Sequence, residues 1–200
     1  MFDSYLRPLI DPPLNTVAAK LPISADQMTV LGLVAGILAA LAIVAGGFWL
    51  ALALILLNRC ADGLDGPLAR HHGASPVGGY LDIVFDFIFY GAIPLAFALH
   101  DPANALPAAV LLASFYMNGA TFLAFSAVAA ERGLSTEAQG KKSIYYFAGV
   151  AEGFETIAVF CAMCLFPSAF WWLAYGFAAL CFVSASARII MVKQTLRAPP

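Results

Sequence analysis

Apolar residues fill almost the whole chain, in six runs that are each close to the length of a membrane-spanning helix. The sequence is 62% hydrophobic and only 11% charged, with a mean hydropathy of +0.86. Because a helix needs about 20 apolar residues to cross a bilayer, this pattern predicts an all-α integral membrane protein with six transmembrane helices. We place the spans at 28–47, 49–69, 78–99, 104–130, 144–166 and 168–191.

Glycine and proline mark three tight connections between the spans, at Gly46-Gly47, Asp101-Pro102 and Phe166-Pro167. Two longer polar loops, at 70–77 and 131–143, alternate with them. Residues 1–27 are too short and too rich in proline to span, and their apolar residues before Pro12 predict an interfacial helix. A loosely ordered tail is the alternative. The expected organisation is therefore a juxtamembrane segment, 1–27, and one membrane domain, 28–200.

The basic residues predict the orientation of the spans. The three tight turns carry no lysine or arginine. Most of the basic residues fall in the N-terminal segment, the two polar loops and the C-terminal segment: Arg7, Lys20, Arg70, Arg132, Lys141, Lys142, Lys193 and Arg197. The positive-inside rule then places both termini in the cytoplasm. The net charge of −2 gives no indication of a nucleic-acid partner.

Four aspartates interrupt the apolar sequence at the cytoplasmic ends of the second and third spans. Asp62 and Asp65 are three residues apart, and Asp82 and Asp86 are four apart, so each pair lies on one face of its helix. Ionisable groups at the edge of a membrane core are costly and usually functional. Four carboxylates repel one another, and two divalent ions would balance their charge. Oxygen-only ligands favour Mg²⁺ or Mn²⁺. Simple helix capping would account at best for Asp82.

Small and basic residues surround the aspartates. Gly66, Ala69 and Gly78 leave room for a bulky ligand to approach the backbone, although close helix packing is the competing explanation. Arg70 can bind a phosphate with its guanidinium fork. Arg59, about one turn before Asp62, is expected to face the bundle and to pair with an acidic group, with snorkelling to the interface as the alternative.

The run DGLDGPLAR from Asp62 to Arg70, followed by seven residues, Gly78, three residues, Asp82, three residues and Asp86, resembles the motif of the CDP-alcohol phosphotransferase (phosphatidyltransferase) family. All eight specified positions of that motif are present. The stretch from Ser24 to Thr29 is also similar to the family's lead-in to the first span. It departs from the family there, with Ala25 in place of proline and Asp26 in place of asparagine.

The resemblance implies a membrane enzyme of phospholipid synthesis that uses two Mg²⁺ or Mn²⁺ ions. The metals would be bound by Asp62, Asp65, Asp82 and Asp86, with Asp86 also the catalytic general base. The CDP-linked substrate would contact a set of positions on the first three spans: Thr29, Gly66, Ala69, Arg70 and Gly78. Expected partners are a CDP-linked lipid, a small alcohol acceptor, the bilayer and a second copy of the chain. The expected location is the inner (cytoplasmic) membrane, multi-pass, with the active site facing the cytoplasm.

Charged residues around the fifth span are candidates for binding the acceptor. Arg132, Lys141 and Lys142 would suit a phosphorylated alcohol, although ordinary positive-inside anchoring also explains them. Glu152 and Glu155 would suit an amine or hydroxyl groups, or would pair with Arg59 or Arg188. Glycerol 3-phosphate is the best single acceptor, with inositol phosphate, serine and choline left open.

Two other functions compete with this one. An intramembrane aspartate-rich prenyltransferase needs a second aspartate cluster far along the chain, and the sequence has none. An acidic-site transporter usually carries its site near the membrane midplane between inverted repeats. Here the aspartates crowd one end of the predicted spans, and no such repeat is visible. We therefore favour the enzyme.

Overall fold

The structure is a computed structural model that describes residues 14–73, 75–131 and 153–197. Within these ranges the chain is helical, apart from short connections, and contains no strand. The long helices are α1 (Ala25–Val44), α2 (Phe48–His72), α3 (Pro76–His100), α4 (Ala105–Glu131), α5 (Gly153–Leu165) and α6 (Phe170–Arg197). The predicted all-α fold is confirmed. Residues 1–13, which include all of the interfacial helix predicted before Pro12, lie outside the described ranges, and residues 14–18 are helical.

Local sequence signals determine where the helices begin and end. Ser24 and Gln27 form a capping box at the start of α1, and the turn after it uses Gly46 with a positive φ of 79°. The Ser75 hydroxyl accepts a hydrogen bond from the Gly78 amide, and Pro76 occupies the first position of α3. Asp101 caps the short 3₁₀ turn before α4 in the same way. All three tight connections predicted from glycine and proline are present.

The loop predicted at 70–77 is shorter than expected. Helix α2 continues through Arg70, His71 and His72, so only residues 73–75 connect it to α3. Basic side chains in the last turn of a helix interact favourably with its carbonyl end, which explains the extension. Both aspartate-bearing helices pack against α1, and the short connection joins them at the end where the aspartates lie.

Contacts between helices run in a circuit. Helix α1 contacts α2 and α3, α3 contacts α4, α4 contacts α6, and α5 contacts both α6 and α2. Aromatic side chains fill the interior: the Phe89 ring meets Phe160 edge-on at 5.8 Å, and Phe97 stacks on Phe170 at 4.5 Å. All four of these rings are fully buried. They join α3 to α5 and α6.

Helix α1 lies close to its neighbours because it presents small residues to them. A Cβ atom at Gly36 would lie 2.7 Å from the Phe89 ring, and one at Gly32 would lie 3.4 Å from the Cβ of Ala61. The buried Asn58 side chain of α2 donates a hydrogen bond to the Gly32 carbonyl oxygen at 2.7 Å. These approaches bring the first turns of α1 within reach of the aspartates on α2.

Four helical segments of the described chain are long and apolar enough to cross a membrane: Ala25–Val44, Pro76–His100, Pro102–Glu131 and Pro167–Gln194. Many of their large apolar side chains point outward, for example Leu41, Leu99 and Leu106. Helix α2 is 25 residues long but carries four charges, and the described part of α5 has 13 residues. The count of six spans stays a prediction.

Candidate metal and active site

The four aspartates meet at one end of α2 and α3. Asp62 and Asp65 lie in the last three turns of α2, and Asp82 and Asp86 lie in the first three turns of α3. They open onto a cleft of about 250 Å³, a volume that includes the solvent at its mouth. Its lining is Thr29, Gly32, Leu33, Asn58, Arg59, Asp62, Asp65, Asp82, Phe85 and Asp86. Most of the lining side chains are polar or charged, which suits the binding of ions and phosphate groups.

Three of the aspartates form a candidate metal site. One carboxylate oxygen from each of Asp62, Asp65 and Asp82 lies within 4.8 Å of the other two. All three side chains are half-buried, so water screens their repulsion poorly. The Thr29 hydroxyl donates a hydrogen bond to Asp65 at 3.2 Å and thereby orients its carboxylate. Clustered carboxylates are the ligands that Mg²⁺ and Mn²⁺ prefer, so the residues present fit the predicted metal.

Asp86 has different surroundings. Its Oδ1 accepts a hydrogen bond from the Arg59 guanidinium at 2.9 Å, and its Oδ2 accepts a long one from the Tyr90 hydroxyl at 3.5 Å. Arg59 also pairs with Asp62 at 3.3 Å. The prediction that Arg59 faces the bundle and pairs with an acidic group is therefore confirmed. Asp86 therefore bonds to Arg59 and Tyr90 and is not one of the three carboxylates that converge.

Asn58 and Tyr90 are site residues that the sequence analysis did not identify. The Asn58 amide oxygen accepts from Arg59 Nε at 2.7 Å, while its nitrogen bonds to α1. Tyr90 lies one turn after Asp86, which is the spacing that could have revealed it. Asn58 directly precedes Arg59, and a buried amide in an apolar helix is itself a signal for a polar network.

The residues predicted to bind the CDP group lie around the cleft. Thr29 is in its lining, whereas Gly66, Ala69, Arg70 and Gly78 lie outside the lining, at the same ends of α2 and α3. Arg70 is exposed and donates to the Asn15 side chain at 3.2 Å. Gly78 is closely approached by the carboxylate of Asp26, which favours helix packing at that position. Asp26 also accepts from the Ser75 hydroxyl at 3.3 Å.

Of the predicted acceptor residues, the structure describes only Glu155, which is half-buried in the first turn of α5. Arg132, Lys141, Lys142 and Glu152 lie outside the described residues. The start of α5 is nevertheless close to the site: a Cβ atom at Gly153 would lie 3.6 Å from the Tyr90 hydroxyl. Arg188 of α6 is buried and donates to the Asn118 carbonyl oxygen at 2.9 Å and to Thr121 at 3.1 Å.

Known proteins resemble this chain in sequence and in fold. A model of the CDP-alcohol phosphatidyltransferase family matches residues 23–183. The inner membrane protein YnjF of Escherichia coli (strain K12) is 42% identical over 193 residues, which is 94% of each chain.

A solved structure shares the fold at lower identity. It is the crystal structure of Mycobacterium tuberculosis phosphatidylinositol phosphate synthase (PgsA1) with CDP-DAG bound. It superposes with a TM-score of 0.63 at 18% identity, covering 90% of this chain and 92% of that one. The matched family region contains all four aspartates and Arg59.

Proposed function

Because this chain belongs to the CDP-alcohol phosphatidyltransferase family, we propose that it transfers a phosphatidyl group from CDP-diacylglycerol to a small alcohol and releases CMP. The observation that carries the proposal is the group of three carboxylates within 4.8 Å, with Asp86 one turn further along α3. The apolar helices around this group put it where a lipid-linked donor would be presented. A cluster at one end of the helices favours the enzyme over a transporter with a midplane site.

The four aspartates have two roles in the proposed reaction, metal binding and proton transfer. Asp62, Asp65 and Asp82 would hold divalent ions, Mg²⁺ or Mn²⁺, and Asp86 would complete the ligands for a second one. When bound, the ions would neutralise charge on the diphosphate of the donor. Asp86 would accept the proton of the acceptor hydroxyl. The oxygen of that hydroxyl would bond to the lipid-side phosphorus, and the bond from this phosphorus to CMP would break. Thr29 keeps Asp65 oriented throughout.

The donor would extend from the cleft in two directions. Its cytidine end would lie toward Gly66, Ala69, Arg70 and Gly78, where the exposed Arg70 guanidinium is available for a phosphate. Its acyl chains would lie against outward-facing apolar residues of α3, such as Ile83 and Phe87. Both ends of the donor then match the chemistry of the surface beside them.

The acceptor would enter beside α5. The first turn of this helix adjoins Tyr90, which contacts Asp86, so an acceptor held there would place its hydroxyl near the general base. Arg132, Lys141 and Lys142 would bind the phosphate of glycerol 3-phosphate, the best single acceptor. Glu152 and Glu155 would serve instead if the acceptor carried an amine.

The membrane arrangement is part of the proposal. Six spans, with both termini and the aspartates on the cytoplasmic side of the inner membrane, agree with the distribution of basic residues. The location of the similar YnjF protein supports the same membrane. A homodimer is the expected assembly.

CMP release tests the proposed function. Purified protein in detergent with CDP-diacylglycerol, Mn²⁺ and a panel of alcohols should release CMP, and the lipid product identifies the acceptor. EDTA should abolish the release, and Mg²⁺ or Mn²⁺ should restore it. Full activity in EDTA would contradict the metal mechanism, and no CMP release with any acceptor would favour the transporter.

A further inference from the structure

Three of the four aspartates form one group in the structure, and the fourth, Asp86, is not part of it. Asp62, Asp65 and Asp82 can converge on an ion, whereas Asp86 makes the shorter of the two ion pairs of Arg59, at 2.9 Å against 3.3 Å for Asp62. The motif that carries the family resemblance begins at Asp62 and therefore does not include this cation. We propose that Arg59 is the resident counter-ion of Asp86, and that it exchanges this carboxylate for the diphosphate of the CDP-linked donor.

The guanidinium of Arg59 is held on three of its edges and on one face. Nε donates to Asn58, NH1 pairs with Asp62, and NH2 donates to Asp86. The Phe89 ring lies under the group, with its centroid 4.9 Å from Cζ. Asn58 is in turn anchored to the backbone of α1. The contacts with Asn58 and Phe89 do not involve Asp86, so they would keep the guanidinium in the cleft after it released that carboxylate.

The charges explain why the exchange is favourable. When all are ionised, the four carboxylates carry four negative charges, and Arg59 supplies one positive charge. While the carboxylates lack other cations, Arg59 lowers their mutual repulsion and fixes the Asp86 carboxylate. Divalent ions would neutralise the carboxylates, so Arg59 would gain little from Asp86. A diphosphate would then offer it a bidentate anionic partner. This second step rests on the proposed function, but the first step does not.

The first step predicts that Arg59 competes with metal ions. Mn²⁺ binding to the purified protein, without nucleotide or lipid, can be measured by electron paramagnetic resonance. Removing a neighbouring positive charge should tighten Mn²⁺ binding, so Arg59→Gln is expected to bind Mn²⁺ roughly tenfold or more tightly than the wild type. Arg59→Lys, which keeps the charge, should stay near the wild type. Lys193→Gln is the control, because it removes an exposed positive charge of α6, a helix that contributes no residue to the lining of the cleft.

Unchanged or weaker Mn²⁺ binding by Arg59→Gln would overturn the counter-ion role. Thermal unfolding in detergent shows whether the variant folds. If Arg59→Gln does not fold, Arg59→Ala and Arg59→Met are titrated instead, and a fully folded variant without tighter Mn²⁺ binding would again overturn the role.

The second step predicts opposite effects on metal and donor. With saturating Mn²⁺ and no acceptor, Arg59→Gln should bind CDP-diacylglycerol at least about tenfold more weakly, the loss expected for one charge-assisted phosphate contact. Unchanged donor affinity together with tighter Mn²⁺ binding would leave Arg59 as a counter-ion only and overturn the exchange. A wild-type protein that binds Mn²⁺ as predicted but releases no CMP would instead contradict the proposed function.

Discussion

At the residue scale, the surroundings of Asp86 distinguish it from the other three aspartates. Both of its oxygens accept from protein groups, Arg59 and Tyr90, and it adjoins the start of α5. In the proposed exchange, Arg59 leaves Oδ1 of Asp86 open to accept the proton of the hydroxyl, while Tyr90 remains beside Oδ2. The proposed metal ligands need convergence on a shared point, which is what Asp62, Asp65 and Asp82 have.

Asp86→Asn should therefore reduce turnover by at least ~10²-fold, the usual contribution of a general base, and leave donor binding largely intact. Asp62→Asn and Asp65→Asn should instead weaken Mn²⁺ and CDP-lipid binding together. Measurements of CMP release and of equilibrium donor binding distinguish the loss of the proposed base from the loss of a proposed metal ligand. Asp101→Asn, at an exposed cap far from the cleft, is the control and should be fully active. Normal turnover in Asp86→Asn would rule out the base assignment.

The acceptor hypothesis makes a separate prediction. Neutralising Lys141 and Lys142 together should raise the KM of a phosphorylated acceptor about tenfold or more per lost contact, and spare that of the CDP-lipid. The two lysines belong to the loop predicted at 131–143, whereas the donor is assigned to α2 and α3. Steady-state kinetics with each substrate varied in turn provide the measurement. If the acceptor KM did not change, an unphosphorylated acceptor such as serine or choline would become the better candidate, with Glu155 as its partner.

Part of this site could be predicted from sequence and part could not. The aspartates were evident because their spacing places each pair on one helix face. The partner of Arg59 was not, because Asp62, Asp86, Glu152 and Glu155 were all possible acidic groups before the helices were packed. The bond to Asp86 joins residues 27 positions apart, and it forms because α2 and α3 both pack against α1. The role of Asn58 depends in the same way on the position of α1.

At the element scale, the helices and tight turns could be predicted from the sequence. The length of each apolar run and the positions of glycine and proline determine them locally. The order of helices around the circuit could not be predicted in this way, because the six apolar segments of the sequence could pack in many arrangements. Small residues on α1 help to determine which helices pack against it. Gly36 lies where α1, α2 and α3 meet, against Phe89 and Asn58.

Gly36→Ala should consequently destabilise the protein. Its Cβ atom would lie 2.7 Å from the Phe89 ring and 3.3 Å from the Asn58 amide nitrogen, so two well-packed neighbours must move. Overpacking of this kind costs roughly 1–3 kcal/mol, and thermal unfolding in detergent should show a lower Tm. Gly176→Ala is the matched control, because nothing lies within 4 Å of a Cβ atom there, and alanine is the better helix former. Equal Tm values for the two variants would contradict the close packing of α1.

At the scale of the whole molecule, the distribution of basic residues predicts the orientation in the membrane. Green fluorescent protein fused to either terminus should fluoresce, and alkaline phosphatase fused there should be inactive, because both reporters would remain in the cytoplasm. Fusions at Asn104, in the tight connection before α4, should give the reverse pattern. Active phosphatase at a terminus would invert the arrangement and put the aspartates on the opposite side. The division at residue 28 into a juxtamembrane segment and a membrane domain stays a prediction.

The polar half of α2 also bears on how the chain is assembled during synthesis. Arg59, Asp62 and Asp65 each carry a translocon insertion cost of about 2.5–3.5 kcal/mol near the centre of a helix, and less toward its end. Helix α1, by contrast, has a mean hydropathy of 2.3, the highest among the four candidate spans. We expect α2 to partition into lipid together with α1 as a helical hairpin, with the Asn58–Gly32 bond formed at that moment. The catalytic carboxylates would then depend on the first helix for their entry into the bilayer, before any substrate is present.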